Sequence, residues 1–155
     1  MLIHELTEAE CREVLTRTNL ARLACSRHDQ TYIVPIHFEF DGGSFYSFST
    51  LGQKIDWMRA NPKVCVEVDD ITDKANWTTI VAIGRYQELT DSSADRALRN
   101  RARELFERRR EWWLPAAGKL AASEHPIPVL YRIRIERMTG RRAARRPVIE
   151  SILIR

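Results

Sequence analysis

The stretch "TYIVPIHFEFDGGSFYSFST" (residues 31–50) decides the fold. In its first half Tyr32, Val34, Ile36, Phe38 and Phe40 alternate with Ile33, Pro35, His37 and Glu39. That period of two is the mark of a strand with one buried face. Asp41-Gly42-Gly43 readily supplies the positive φ angles of a tight reversal, and "SFYSFST" returns as the partner strand. Pro35 is the irregularity. It has no amide to give to a ladder, so its strand is expected at an edge or at a bulge.

Outward from this hairpin the pattern changes twice. Downstream, "LGQKIDWMRANP" (51–62) places Leu51, Ile55 and Met58 on one side of a short helix that Asn61-Pro62 closes. "KVCVEVDD" (63–70) returns to alternation, with Val64, Val66 and Val68 inward. "WTTIVAIGRYQEL" (77–89) is apolar on both faces in its first half and reads as a central strand. Asp91-Ser92-Ser93 is expected to cap a helix from about 93 to 113, with Ala94, Ala97, Leu98, Leu105 and Phe106 buried and Pro115 beyond its end. A loop or short helix, "AAGKLAASEHPIP", leads to "VLYRIRIERMTG" (129–140), where Val129, Tyr131, Ile133 and Ile135 face the core. Upstream, Thr7-Glu8-Ala9-Glu10 is a capping box that opens a helix over about 8–17, and "LARLACS" follows as a strand. Six regularly spaced strands with few helical insertions predict a mainly β fold with flanking helices, a small antiparallel barrel or sandwich. The absence of strict β-α-β alternation argues against a parallel dinucleotide-binding sheet.

With 155 residues, 44% apolar and 30% charged, the chain fits one domain with its own core. No run of eighteen apolar residues is present, so no spanning helix is expected. The start, "MLIHELTEAECREV", has no charged-then-apolar signal pattern, and three scattered cysteines (Cys11, Cys25, Cys65) read as reduced thiols. A cytoplasmic location is the expectation. The net charge of +4 is uneven: "RARELFERRR" (101–110) and "RRAARR" (141–146) concentrate arginine. Such blocks are either solvated faces or contacts for phosphorylated ligands, nucleic acid or acidic partners.

Several positions carry chemistry. Ser49, Thr50, Gly52, Gln53 and Lys54 stand where a strand turns into a helix. A helix N-terminus offers amide donors and positive potential, so these residues suit a phosphate. The same hydroxyls suit plain helix capping. The free edge beside Pro35 either blocks aggregation or offers backbone groups to a flat heterocycle. His37 shares Pro35's face and is as readily structural as ligand-binding; no HxxxH or HExxH accompanies it, so a metal site is not expected. Trp77, Thr78 and Thr79 open the central strand as either ring and hydroxyl contacts or a strand anchor. Trp112 and Trp113 are adjacent, so one of them is free to cover a pocket or an interface. No GxSxG or catalytic triad surroundings are present.

Taken in order, "RLACSRHDQTYIVPIHFEFDGGSFYSFSTLGQKIDWMRANPKVCVEVDDI", "WTTIVAIGRYQEL" and "YRIRIERMTGRRA" resemble the pyridoxamine 5'-phosphate oxidase-like flavin-binding superfamily, nearest its nitroimidazole-reductase-like, flavin-nucleotide-binding branch. The resemblance implies a six-stranded antiparallel split β-barrel over residues 1–143, followed by a basic tail over 144–155. It implies a homodimer with FMN at the subunit interface. The backbone of Val34, Pro35, Ile36 and His37 would lie along the isoalloxazine, and Ser49, Thr50, Gln53 and Lys54 would hold the phosphate and ribityl chain. Thr78 and Thr79 would add hydroxyl contacts, and Trp77 with Trp112 or Trp113 would shape the flavin face. The sequence departs from the vitamin B6 oxidases, which carry basic residues on the strand matching "IVPIHF" and an Arg-Lys pair where Gln53-Lys54 stands. The resemblance therefore implies an FMN-dependent oxidoreductase passing electrons from a nicotinamide donor to a small, nitro-aromatic-like acceptor. Wider relatives use a deazaflavin (F420) or bind haem. A non-catalytic flavin- or haem-binding store and a nucleic-acid-binding protein are the competing expectations.

Overall fold

Thr7 Oγ1 accepts a hydrogen bond from the Glu10 amide (3.3 Å) while the Glu10 carboxylate accepts one from the Thr7 amide (2.8 Å). The capping box thus closes as expected, and α1 (Glu8–Arg17) follows it. The computed structural model describes residues 1–109 and 128–145. Ahead of α1 lies a short strand, β1 (Leu2–Glu5), whose four residues are all exposed and give no alternation to read. After α1 come β2 (Leu20–Arg27), β3 (Gln30–His37), β4 (Glu39–Asp41), β5 (Ser44–Ser49), α2 (Gln53–Ala60), β6 (Lys63–Asp73), β7 (Asn76–Glu88), α3 (Arg96–Arg108) and β8 (Val129–Ala144).

Among the described residues, three helices flank one antiparallel sheet of eight strands, which is not closed by hydrogen bonds. The strand order is β3-β2-β6-β7-β8-β5-β4, with β1 on β8. The expected count of six differs for two reasons. β1 carries no pattern, and the alternating run 31–40 is two strands that part at Phe38. β3 pairs with β2 (Val34↔Leu23) and β4 pairs with β5 (Phe40↔Phe45), so one continuous segment supplies both edges of the sheet. β7 is central as expected, between β6 and β8. The long β8 pairs along one side with β7; its other side takes β5 at Val129–Arg134 and β1 at Arg141–Ala144.

The inward faces meet in one core. Leu23, Phe38, Phe45, Ile55, Met58, Val66, Ile80 and Tyr131 are fully buried, with Phe38 edge-on to Phe45 at 5.1 Å between ring centroids. A second cluster lies on the other face of β5 and β8, where α3 covers Tyr46 and Leu130 with Ala102 and Leu105. The buried stripe of α3 differs from expectation: Leu98, Leu105 and Phe106 pack inward, Ala94 and Ala97 are exposed, and Ala102 is buried. The helix starts at Arg96 and not near 93, because the Asp95 carboxylate is taken by the Thr90 amide and hydroxyl, both at 2.8 Å. Leu51, expected beside Ile55 and Met58, precedes the first turn of α2 and is 62% exposed. Trp112, Trp113 and Pro115 lie outside the described residues, as does most of the expected tail. No described helix is long and apolar enough to cross a membrane.

Candidate functional site

The break at Phe38 opens the sheet. Up to that point β4 and β5 run together; the Ser47 hydroxyl then donates to the His37 carbonyl (2.7 Å), and the Phe38 amide to the Asn19 carbonyl (2.9 Å). Beyond these bonds β3 turns to β2 while β5 continues with β8, so the two edges diverge. A split results, with Val34–His37 on one lip and the Ser49–Lys54 corner on the other. Pro35 is on an edge strand, as its missing amide requires. Along this lip Val34 is half-buried, Ile36 buried, and Pro35 and His37 are exposed.

The opposite lip begins where β5 ends at Ser49. Neither Ser49 nor Thr50 caps α2: Gly52 is its N-cap residue, and no side chain accepts from the first-turn amides. Those donors are left without an intrahelical partner. Gly52 has an extended backbone (φ 172°), and a Cβ placed there would meet nothing within 4 Å. Neither strain nor packing demands the glycine, so what it contributes is open space above the helix end. Lys54, in the first turn, is half-buried near Cys25, without an ion pair or hydrogen bond among the described residues. Burial pushes its amine below the usual lysine range, offset in part by the nearby Cys25 thiol. A half-buried cation with no counter-charge, next to uncapped amides, is a donor set that an anion completes.

α2 is held so that this end stays in place. Ile55 and Met58 are fully buried, and Trp57 packs on Tyr32 of β3 at 5.7 Å. At its far end the Asn61 side chain donates to the Ser26 carbonyl (3.1 Å). Arg59 forks onto Glu88 of β7 at 2.7 and 2.8 Å, holding that carboxyl below its ordinary range. The Tyr86 hydroxyl also donates to Glu88 (3.0 Å).

The remaining expected site residues lie elsewhere in the chain. Trp77 is half-buried and Thr78 buried, its hydroxyl accepting from Arg142 Nε at 3.2 Å. Thr79 donates to Glu67 at 3.3 Å. Ser49 aligns with Val129 and Thr78 with Arg142, thirteen residues apart along β8. At about 3.3 Å per residue this is roughly 43 Å of strand. Along β8, therefore, Thr78 lies far from the row of Ser49. Across the sheet Pro35, Arg22, Glu67 and Val81 stand in one row, which puts Thr79 two residues beyond the row of Pro35, with β2 and β6 between. Two residues escaped the sequence reading. Arg142 orients Thr78, and the fully buried Tyr131 hydroxyl, beside that of Ser47, makes no hydrogen bond of ordinary geometry among the described residues. Burial pushes that phenol up to about 12. Alternation placed Tyr131 inward, but nothing local signals an unsatisfied hydroxyl.

Known proteins share this architecture. The sequence profile of the pyridoxamine 5'-phosphate oxidase family matches residues 7–142. An uncharacterized protein of Rhizobium meliloti (strain 1021) is 39% identical over 149 residues, covering 92% of this chain and 97% of the relative. The structure of an FAD-binding protein from Mesorhizobium loti superposes with a TM-score of 0.77 at 36% identity, covering 94% of this chain and 99% of the other. An FAD-binding protein from Mycobacterium smegmatis shares the fold at 22% identity, with a TM-score of 0.65 over 94% of this chain and 100% of its own. The profile match takes in every strand of the sheet except β1 and the last turn of β8, and on that span the chain belongs to the pyridoxamine 5'-phosphate oxidase family.

Proposed function

We propose that the chain is a flavoprotein that binds FMN in the split between β3 and β5 and acts as an oxidoreductase. The observation that carries this reading is the half-buried Lys54, unpaired among the described residues, beside the first turn of α2 that no side chain caps. Lys54, the α2 amides and the Ser49 and Thr50 hydroxyls hold the phosphate, with Gln53 on the ribityl chain. The outer edge of β3 at Val34, Pro35, Ile36 and His37 lies along the ring. When bound, the flavin carries electrons from a nicotinamide donor to a small acceptor, nitro-aromatic compounds being the first class to test. The chain's own residues bind, orient and shield the cofactor, and no acid–base pair is needed for that. A flavin-binding relative at 36% identity supports the cofactor class; since that relative binds FAD, the choice between FMN and FAD is part of the test.

The reading includes a homodimer. Leu20, Ile33, Val81 and Ile83 stand exposed on one outer face of β2, β3 and β7. A second copy covering this face removes that apolar surface from water. It also lets Trp77, Thr78 and Thr79 of one copy complete the split of the other.

The absorption spectrum of the native protein, with chromatography of the released cofactor, tests the proposal. A flavin envelope, FMN on extraction and bleaching by NADH or NADPH that speeds up with an acceptor are the expected results. A Soret band, an extracted deazaflavin, or flavin that no nicotinamide donor reduces would replace it with a haem, deazaflavin or storage role. Lys54→Ala is expected to weaken FMN binding at least tenfold, and unchanged affinity would remove the phosphate assignment.

A further inference from the structure

A separate cluster of cations lies on α3, outside the split. The helix carries Arg96, Arg99, Arg101, Arg103 and Arg108 against Glu104 and Glu107. Arg101 is committed to Asp41 through two bonds of 2.9 Å. Arg96, Arg99 and Arg103 recur at i, i+3 and i+7, a spacing that stacks them along one stripe. This stripe flanks the buried face of Ala102 and Leu105, with Arg96 and Arg103 exposed and Arg99 half-buried. With Asn100, Asp91 and Ser92 they line a cavity of about 290 Å³.

Charge in this cavity is unbalanced. Arg96 and Arg103 have no acidic partner among the described residues. Arg99 donates to the Leu89 carbonyl and pairs with Asp91 at 3.2 Å, whose carboxylate is 96% exposed. Three guanidiniums therefore meet one solvated carboxylate, a net of two positive charges. The local helix makes this less favourable still. Its first turn contains no acidic residue, so Arg96 and Arg99 sit at the positive end of the macrodipole. Helix stability alone would select aspartate or glutamate there, and like-charged guanidiniums crowded around a cavity oppose one another.

We propose that this cavity binds a phosphorylated small molecule, its phosphate held by Arg96, Arg99 and Arg103 with Asn100 and Ser92 completing the hydrogen bonds. Planar guanidinium forks match phosphate oxygens two at a time, and three of them on adjacent turns suit a di-anion. The cavity has room for one phosphate or pyrophosphate group and is no extended groove, which favours a small phosphoester over a nucleic-acid strand. Its position gives the binding a context. Arg99 rests on Leu89, the Leu89 amide donates to the Leu130 carbonyl (2.8 Å), and Leu130 aligns with Phe48, the neighbour of Ser49. The cavity thus lies at the same end of the barrel as the Ser49–Lys54 corner, on the outer side of β5 and β8.

Calorimetric titration of the full chain with pyrophosphate tests this. The Lys54→Ala background excludes binding at the corner, so the outcome stands apart from the flavin reading. In that background binding is expected to persist and to weaken as salt is raised. Adding Arg96→Ala with Arg103→Ala is expected to lower the affinity tenfold or more, and both replacements keep a strong helix former on an exposed face. Arg108→Ala, on the same helix outside the cavity, is expected to change it less than twofold. No pyrophosphate binding in the Lys54→Ala background, equal losses from all three arginines, or single-stranded oligonucleotide bound tightly where pyrophosphate is not, would each overturn the proposal.

Discussion

At the scale of the residue, Lys54 is the position where protein stability and ligand binding oppose each other. Its charge is half-buried and has no partner among the described residues, so burial makes the folded chain hold the proton less tightly than the unfolded one. The sign follows from that difference. Between the lowered folded pKa and the ordinary value of 10.5 the unfolded chain binds more protons, so this group's contribution to stability rises as pH rises through that window. Anion affinity moves the other way, since the charge that attracts the phosphate is lost over the same range. Lys54→Met removes the buried charge while keeping the aliphatic stem. It is expected to raise the melting temperature of flavin-free protein by roughly 1–2 °C. Wild-type flavin affinity is expected to fall as pH rises through the lowered Lys54 pKa, with the Met variant weak and flat over that range. Fluorescence titration across pH checks both curves. Local sequence left two uses for Ser49 and Thr50, capping or phosphate binding. It was the geometry of the corner that removed the first, because Gly52 and not a hydroxyl stands at the cap.

At the scale of the element, the β7–β8 ladder shows what alternation hides. The register slips between Ile83 and Gly84, where the strands bulge. A Cβ on Gly84 would lie 2.5 Å from the Arg134 carbonyl oxygen and 2.9 Å from Ile133 Cγ2. Backbone cannot yield as a flexible side chain would. Gly84→Ala is therefore expected to destabilise the fold by roughly 2–3 kcal/mol, read as a lower urea midpoint with an unchanged slope. In the sequence this glycine was one more small residue in an apolar run. The parting at Phe38 was hidden in the same way. The sequence keeps its period of two straight through it, but the structure buries Phe38 and Glu39 in succession as the hydrogen-bond partners change, from β2 for His37 to β5 for Glu39. By contrast the capping box, the Asp41-Gly42-Gly43 turn and the Asn61-Pro62 stop were legible because each is satisfied by atoms a few residues away.

At the scale of the whole molecule, the expected site residues lie on separate strands: Val34–His37 on β3, the corner that follows β5, and Trp77–Thr79 on β7, with β2 and β6 between β3 and β7. The exposed apolar face of β2, β3 and β7 gives a way to join them across two copies. Val81→Asp with Ile83→Asp places two charges on that face, each residue being 39% exposed in the single chain. Sedimentation is expected to show a dimer for the wild type and a monomer for the double variant. FMN affinity is expected to fall with the loss of the dimer. A variant that remains dimeric would move the interface to another surface.

What the sequence by itself determined are the features that close over short distances: strand and helix periods, the turn at 41–43, the cap at Thr7, the edge position of Pro35, and the corner at 49–54. These rest on steric and hydrogen-bonding rules that act within a few residues. The tertiary structure alone decided that β3 and β5 part, that Lys54 is half-buried near Cys25 with no counter-charge among the described residues, and that Thr78 lies far along β8 from Ser49. Each of these depends on strand pairings between residues distant in the chain. A pairing of that kind leaves no periodicity behind it, because the same alternating strand satisfies its core face whichever neighbour receives its hydrogen bonds.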